Sequence, residues 1–447
     1  MKSSDLARVP ALLAALVLPL AACGSGGSPS SNSGSAGSGG IHVTGAAGGQ
    51  AGTTGNAGST GAGGVASGAG TSGAAGSSVA GSTGSAGANA AGANGSAGSS
   101  AAGANGGAGS TGAAGSSGAG GAAGSSGAAG SSGPSNTPLP SKGLLAVYWG
   151  QNGWGAGHPD SSTWEKPLAD TCTAHPEYDI VILSFATQLA HTRNQPFVPE
   201  LNFANHCETP YDTQNPFLLK CDAIATGVKT CQAAGKKVLI SIGGSTGSAG
   251  FQNDDDGKMA ATSVWNIFLG GNGTIRPFAG ATLDGVDLDI EGGGTVGYAA
   301  FAKALRTLMD ASGHKYYITG APQCPYPDAF LGPAAGRALG DAPSAFDFVF
   351  VQFYNNYCGY GTPSAFSDSF NMWKTLATGG PKVLVGLPAT TGAAGSGFVA
   401  RATLPALVNS VKGDAAFAGI MLWDVSNDQN SSEGGTTYGA YAKTLIK

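Results

Sequence analysis

The chain has 447 residues, enough for two or three domains if its composition were even along its length. It carries 21 basic and 26 acidic side chains, a formal net charge of -5 with no basic cluster, so no nucleic-acid partner is expected. Only 11% of residues are charged and 78 are glycine, and these are distributed unevenly enough to split the chain in two.

The first 22 residues have the parts of a secretory signal: Lys2 and Arg8, an apolar run over 11–20 too short to span a bilayer, then small residues. The run ends Leu20-Ala21-Ala22-Cys23, which resembles the bacterial lipoprotein box. That resemblance implies cleavage before Cys23 and acyl chains on it, giving an exported protein whose membrane contact is this anchor, at the cell surface or outside the cell. An ordinary cleavage site with a cysteine nearby is the alternative. From 24 to 141 there is no Asp, Glu, Lys or Arg, and Gly-Ala-Ala-Gly-Ser-Ser recurs at Gly112, Gly121 and Gly127. With almost no large apolar side chains to offset chain entropy, residues 23–141 are expected to form a disordered linker averaging roughly 60 Å end to end. A silk-like stacked sheet is disfavoured by the irregular spacing.

With Cys23 set aside, six cysteines remain between Cys172 and Cys358, an even number that reads as disulfides in an exported chain. A zinc site would need Cys-x-x-Cys or a histidine at ligand spacing, and neither is present, so no metal and no cofactor is expected. The run Asp254-Asp255-Asp256-Gly257 lacks the later Glu of a calcium loop and reads as a solvated turn.

Residues 142–447 can hold one large domain. Eight short runs rich in Val, Ile, Leu and aromatics recur at 143–149, 180–185, 237–242, 285–290, 316–320, 348–353, 382–387 and 419–423. Segments with helical periodicity lie between several of them, at 222–234, 299–312 and 403–411; in the second, Phe301, Leu305, Leu308 and Met309 share a face. Eight alternating β and α segments in about 300 residues predict an α/β fold, a single (β/α)8 TIM barrel. The first strand-to-helix turn, 150–154, lacks the glycine spacing of a dinucleotide site, which argues against an open doubly wound sheet.

A barrel of this kind carries its active site at the C-terminal ends of the strands. Those ends read Tyr148-Trp149-Gly150-Gln151-Asn152, Gln352-Phe353-Tyr354-Asn355-Asn356 and Met421-Leu422-Trp423-Asp424, together with the acidic run Asp284 to Glu291. Amides, carboxylates and flat rings suit a sugar-binding groove. A strand has period two, so Asp287, Asp289 and Glu291 share one face while Val286, Leu288 and Ile290 share the other. In a parallel barrel the acidic face must turn into the interior. Carboxylates crowded there cannot all ionise, and one becomes an acid able to donate a proton near neutral pH.

The run Asp-x-x-Asp-x-Asp-x-Glu is the signature of glycoside hydrolase family 18. Stretches at 148–153, 241–244, 321–325, 351–356, 386–389 and 421–423 resemble its hevamine-like, class III chitinases, in the same order, across most of 143–441. The resemblance implies hydrolysis of β-1,4-linked N-acetylglucosamine polymers with retention, the substrate's own acetamido oxygen acting as nucleophile. Glu291 would protonate the glycosidic oxygen and Asp289 would hold the acetamido N–H. Asp287 would share a proton with Asp289, and Tyr354 would bond the acetamido oxygen. Gln352, Asn355, Trp423, Tyr148 and Phe185 would bind the sugar, Trp423 as its floor. Asp284 reads as a brace of the strand. The resemblance also pairs Cys172 with Cys231, Cys207 with Cys221 and Cys324 with Cys358, one of fifteen possible connectivities. It implies a monomer acting on chitin or chitooligosaccharides.

Two departures concern the loops: Gly292 stands where such enzymes commonly carry a polar residue, and 154–160 does not follow the usual loop. An endo-β-N-acetylglucosaminidase or lysozyme-like activity is the alternative within enzymes, and an inactive glycan-binding barrel the alternative of another class. Leu387 and Gly419 are about thirty residues apart, room for one loop and one helix. No wall-forming insertion fits there, so an open groove and endo cleavage are expected.

Overall fold

The computed structural model describes residues 135–190, 197–247 and 250–447; the signal, Cys23 and nearly all of the low-complexity segment lie outside the described residues. Nine strands are described: β1 Leu144–Trp149, β2 Ile180–Ala190, β3 Val198–Leu201, β4 Lys237–Gly244, β5 Gly285–Ile290, β6 Tyr317–Gly320, β7 Phe348–Gln352, β8 Lys382–Pro388 and β9 Phe417–Trp423. Each of the eight expected runs is a strand. Neighbours pair in parallel, and β1 pairs with both β2 and β9, which closes the ring. The short β3 was not expected. It pairs antiparallel with the far end of β2 and stands outside the ring.

Helices α1 Leu168–Ala174, α2 Asp222–Ala233, α3 Asp254–Phe268, α4 Tyr298–Ala311, α5 Ala338–Asp341, α6 Pro363–Trp373, α7 Leu404–Val411, α8 Val425–Gln429 and α9 Tyr438–Ile446 complete the fold. The acidic run at 254–256 is corrected from a turn to the first turn of α3. Asn253 caps it by accepting from the Asp256 N–H, and three carboxylates at a helix N-terminus are favoured by its dipole.

The alternation in the strands divides the core. Leu145, Val147 and Trp149 of β1 pack outward against the helices with Val286, Leu288 and Ile290 of β5. Leu144, Ala146 and Tyr148 point inward with Ile182, Leu239, Phe350 and Met421. Close approach is enforced at the end of β4, where Gly243 has φ +114° and an added Cβ would lie 2.1 Å from the Asp289 carbonyl oxygen. No side chain fits there.

The lower rim revises the expected boundary at 141. Residues 135–139 already belong to the barrel: the Leu139 N–H donates to the Tyr317 hydroxyl at 2.7 Å, and Leu139 packs on the inward-facing cluster. Asn136 Oδ1 accepts from the Lys315 N–H at 3.0 Å, and Lys237 Nζ donates to the Ser135 carbonyl at 2.5 Å. Tyr317 and Lys237 open β6 and β4, so this segment covers the N-terminal ends of the strands. Lys443 of α9 reaches the Gly143 carbonyl at 2.7 Å and pairs with Asp179, drawing the two ends of the domain together.

Three disulfides join Cys172 to Cys231, Cys207 to Cys221 and Cys324 to Cys358. The first ties α1 to α2, and its partners are 59 residues apart. Closing a loop of that length removes unfolded-state entropy worth at most about 4 kcal/mol. Replacing both Cys172 and Cys231 with Ala is expected to reduce unfolding free energy by about 2–4 kcal/mol in denaturant titrations. An unchanged midpoint would mean the bond contributes nothing to the fold.

Candidate active site

The acidic face of β5 enters the barrel. Asp287 is fully buried and Asp289 is 4% exposed. Asp287 Oδ2 accepts from the Tyr148 hydroxyl and the Ser241 hydroxyl, each at 2.7 Å, and its Oδ1 accepts from Thr319 Oγ1 at 2.6 Å. These donors come from β1, β4 and β6. Burial raises the Asp287 carboxyl, and the three hydroxyls pull it partly back.

Asp287 takes its hydrogen bonds from hydroxyls, and no bond between it and Asp289 is found among the described residues. Tyr148, 1% exposed, holds Asp287 through its hydroxyl.

One step along the strand, Asp289 Oδ1 accepts from Gln352 Nε2 at 2.9 Å, and that amide also donates to the Ala321 carbonyl at 2.9 Å. Burial, then the charges of Glu291 and Asp287, hold the Asp289 carboxyl well above its ordinary range. Glu291, just past the strand, is half-buried. Burial raises it too, while hydrogen bonding with Gln352, Gln323 and Asp289 moderates the rise. Tyr354 is 7% exposed, and burial with the Asp289 and Glu291 charges keeps its phenol protonated far above neutral pH.

These groups line a pocket of about 220 Å3 with Gln151, Phe185, Ser245, Thr246, Asn355 and Trp423. Phe185 and Trp423 stack at 6.0 Å with 24° between planes, and Tyr148 meets Trp423 at 5.5 Å. Asn355 lines the pocket, but its Oδ1 accepts from the Gly395 and Ser396 N–H groups at 2.8 and 3.2 Å, so it also pins the loop after β8. Ser245, Thr246 and Gln323 were not singled out from the sequence. The first two follow the glycine pair that ends β4, and that strand end was the available signal.

The loops around the pocket are braced. Asp424 Oδ2 accepts from the Gly153 N–H at 3.1 Å, and the Ser426 hydroxyl accepts from the Trp154 N–H at 2.9 Å, so the loop after β1 is fastened to the one after β9. Gln151 Nε2 donates to the Ser184 carbonyl at 2.9 Å and the Asn202 carbonyl at 3.0 Å. Asp284, at the other end of β5, is fully buried and accepts from Val238 N–H at 3.0 Å and Gln232 Nε2 at 2.9 Å. Lys237 Nζ lies 3.4 Å from its other oxygen, which has no hydrogen-bond partner, so this is a charge contact.

Two other features lie elsewhere. A depression of about 550 Å3 outside α3 and α4, walled by Lys258, Ala300 and Lys303, includes none of the strand-end groups. His175, Glu177 and Asp428 bring ligand-type atoms within 4.8 Å of one another beside the N-terminal end of β2. Their atoms are already engaged: His175 Nδ1 with Glu177 at 2.9 Å, and Asp428 Oδ2 accepting from the Tyr178 hydroxyl at 2.6 Å.

A family model described as "Glycosyl hydrolases family 18" matches residues 145–397. "Chitinase 1" of Candida albicans is 38% identical over 287 residues, covering 64% of this chain and 56% of that protein. "Endochitinase" of Saccharomyces cerevisiae is 39% identical over 311 residues, 68% of this chain and 50% of that protein. The chain thus spans about half the length of these fungal relatives. "Acidic endochitinase SE2" of Beta vulgaris is 38% identical over 292 residues, 64% of this chain and 88% of the plant protein. Among solved structures, a chitinase from Ipomoea carnea superposes with a TM-score of 0.56 at 31% identity, covering 68% of this chain and all of that one. A xylanase and α-amylase inhibitor protein from Scadoxus multiflorus does so with 0.55 at 31%, covering 67% and 97%.

The raised Asp289 carboxyl has a consequence for stability. A carboxyl raised in the folded state supports folding below its unfolded value near pH 4, and that support is lost as pH rises toward the folded value. Asp289→Asn removes the proton requirement, so it should raise the melting temperature at pH 7 by a few degrees, with the gain closing as pH falls to about 4. Thermal unfolding across pH checks this; a variant less stable than the wild type at pH 7 would show that the carboxyl supports the fold there.

Proposed function

The chain belongs to glycosyl hydrolases family 18, and from that premise we propose that its barrel hydrolyses chitin and chitooligosaccharides internally, with retention, by substrate-assisted catalysis. The carrying observation is the gradient along β5: Asp287 satisfied by three hydroxyls, Asp289 raised by burial and neighbouring charge, and Glu291 half-buried in a pocket with a protonated Tyr354. Such a gradient leaves a labile proton at the pocket end. Among the relatives, the Beta vulgaris acidic endochitinase, matched over most of its length, supports reading this barrel as an endochitinase.

In this reading Glu291 gives its proton to the glycosidic oxygen as that oxygen leaves the anomeric carbon. The acetamido oxygen of the same sugar forms a bond to that carbon, giving an oxazolinium ion, while Asp289 accepts the acetamido N–H and offsets the positive charge. Tyr354, a donor at any physiological pH, bonds the acetamido oxygen, and Trp423 with Phe185 offers apolar surface to the ring. Water then attacks the anomeric carbon as its bond to the acetamido oxygen breaks and the electron pair returns to the acetamido group; the water's proton goes to Glu291, so bonds, charge and protons balance.

The short connection after β8 supports a groove open on that side. Between Pro388 and Phe417 the chain builds a loop and α7 alone, with no wall. A polymer can therefore lie across the strand ends and leave sideways. The inhibitor-like barrel is the opposing reading, motivated by the Scadoxus protein's similar fold; Glu291, Asp289 and Tyr354 gathered at one pocket favour the enzyme.

The deciding experiment follows products from long N-acetylglucosamine oligomers with wild type and Glu291→Gln. A spread of intermediate lengths from wild type, and a loss of at least about a thousandfold in the folded variant, are expected. Dimer released successively from one end would reject endo cleavage, and full turnover by the variant would reject Glu291 as the acid. Activity on peptidoglycan or N-glycans exceeding that on chitin would move the substrate to those polymers.

The disulfides suit an oxidising compartment. No helix among the described residues is long and apolar enough to cross a membrane. We assign membrane attachment to acyl chains on Cys23. Cys23→Ser should shift the full chain from the membrane to the soluble fraction on cell fractionation; a wild-type chain that is soluble and unacylated would refute the anchor.

A further inference from the structure

We propose that Gln323, fixed by Asn356, is a positioning residue that decides which oxygen of Glu291 carries the proton it donates. This rests on the reading of Glu291 as the catalytic acid. Gln323 follows β6, and its Nε2 lies 3.5 Å from Glu291 Oε2, the outer limit of a hydrogen bond. On its other side, Gln323 Oε1 accepts from Asn356 Nδ2 at 3.2 Å. With the amide oxygen engaged by Asn356, its NH2 is turned to the carboxyl. An NH2 group can only donate, so Oε2 is an acceptor whether Glu291 is protonated or not, and the mobile proton is left to Oε1.

The backbone beneath this amide is built to hold it still. The Gln323 N–H donates to Asp328 Oδ2 at 3.3 Å, and Asp328 is itself 2% exposed, its Oδ1 accepting from the Phe330 and Leu331 N–H groups at 2.9 and 2.6 Å. Gln323 bridges to Gln352 of β7, with the Gln352 N–H donating to the Pro322 carbonyl at 2.9 Å and the Cys324 N–H to the Gln352 carbonyl at 3.2 Å. The Cys324 carbonyl accepts from the Ser369 hydroxyl at 2.6 Å and Trp373 Nε1 at 3.0 Å. The Cys324–Cys358 disulfide then joins the segment carrying Gln323 to the one carrying Asn356. The Gln323 amide thus meets the Glu291 carboxyl while Asn356, on a covalently linked loop, holds its other end.

Charge gives the arrangement its effect. The carboxyl groups facing Glu291 are Asp289, on the same strand, and Asp328, from the segment after β6; the Tyr354 phenol faces it from the end of β7. Burial, and after it the Asp328 charge, makes the Glu291 carboxylate harder to form, and the Gln352 and Gln323 amides oppose this by stabilising the anion left after proton donation. Losing the Gln323 amide should raise the pH at which Glu291 ionises and leave its rotamer free.

The test is the full chain carrying Gln323→Leu, assayed on N-acetylglucosamine tetramer across pH. Turnover should fall roughly 10- to 100-fold with KM changed less than about threefold, and the basic limb of kcat/KM should move to higher pH. Asn356→Leu, which keeps the amide but frees it, should shift the same limb by less; it decides the matter if Gln323→Leu does not fold. A folded variant with wild-type turnover and an unmoved basic limb would overturn the positioning role. Glu291→Gln in parallel separates the two ideas: if it stays active, the acid assignment fails; if it is inactive while Gln323→Leu behaves as wild type, the positioning role alone falls.

Discussion

The protein depends on a constraint that parallel barrels impose and this sequence exploits: a strand covered on both faces has nowhere to put carboxylates except the dry interior. An ionised carboxylate in such surroundings is untenable without donors, and the fold answers differently at each depth. At Asp287 three hydroxyls from three other strands converge, so one side chain of β5 cross-links the interior of β1, β4 and β6. At Asp289 a single amide donor meets the demand in part, and burial with neighbouring charge holds the carboxyl well above its ordinary range. At Glu291 partial exposure and the neighbouring amides leave the proton available for transfer. The chemistry at the rim is thus a consequence of how the floor was satisfied.

Much of this was legible in the residues. Eight apolar runs became eight barrel strands, and the alternation from Val286 to Glu291 was enough to predict which side chains turn inward. Depth was harder to read. Period two says that Tyr148 points into the barrel, but whether it reaches substrate or another side chain depends on how far strands are staggered, and stagger is a property of the closed ring. The β3 strand was missed because it is four residues long, includes Pro199 and owes its existence to pairing with the extended β2. The start of α3 was misread for a different reason: three aspartates before a glycine are common in turns, and only the cap at Asn253 with the buried Ala260, Val264, Ile267 and Phe268 downstream makes them a helix start.

Gln323 illustrates a further limit. Its neighbours Ala321, Pro322 and Cys324 mark a segment worth noticing, yet nothing local says that its amide meets a carboxyl 32 positions earlier and an amide 33 positions later. That meeting exists because β5, β6 and β7 are adjacent and the disulfide holds the loops above them in register. The site is built by strand order as much as by residue type.

The segment at 135–139 has an effect on the molecule's outward geometry. It lies across the mouth of the barrel where the strands begin, while the carboxylates stand where they end. Ser135, the first described residue, therefore lies at the pole opposite the groove. A bulky partner joined directly at Ser135 would stand on the far side of the domain from the groove and leave the strand ends clear.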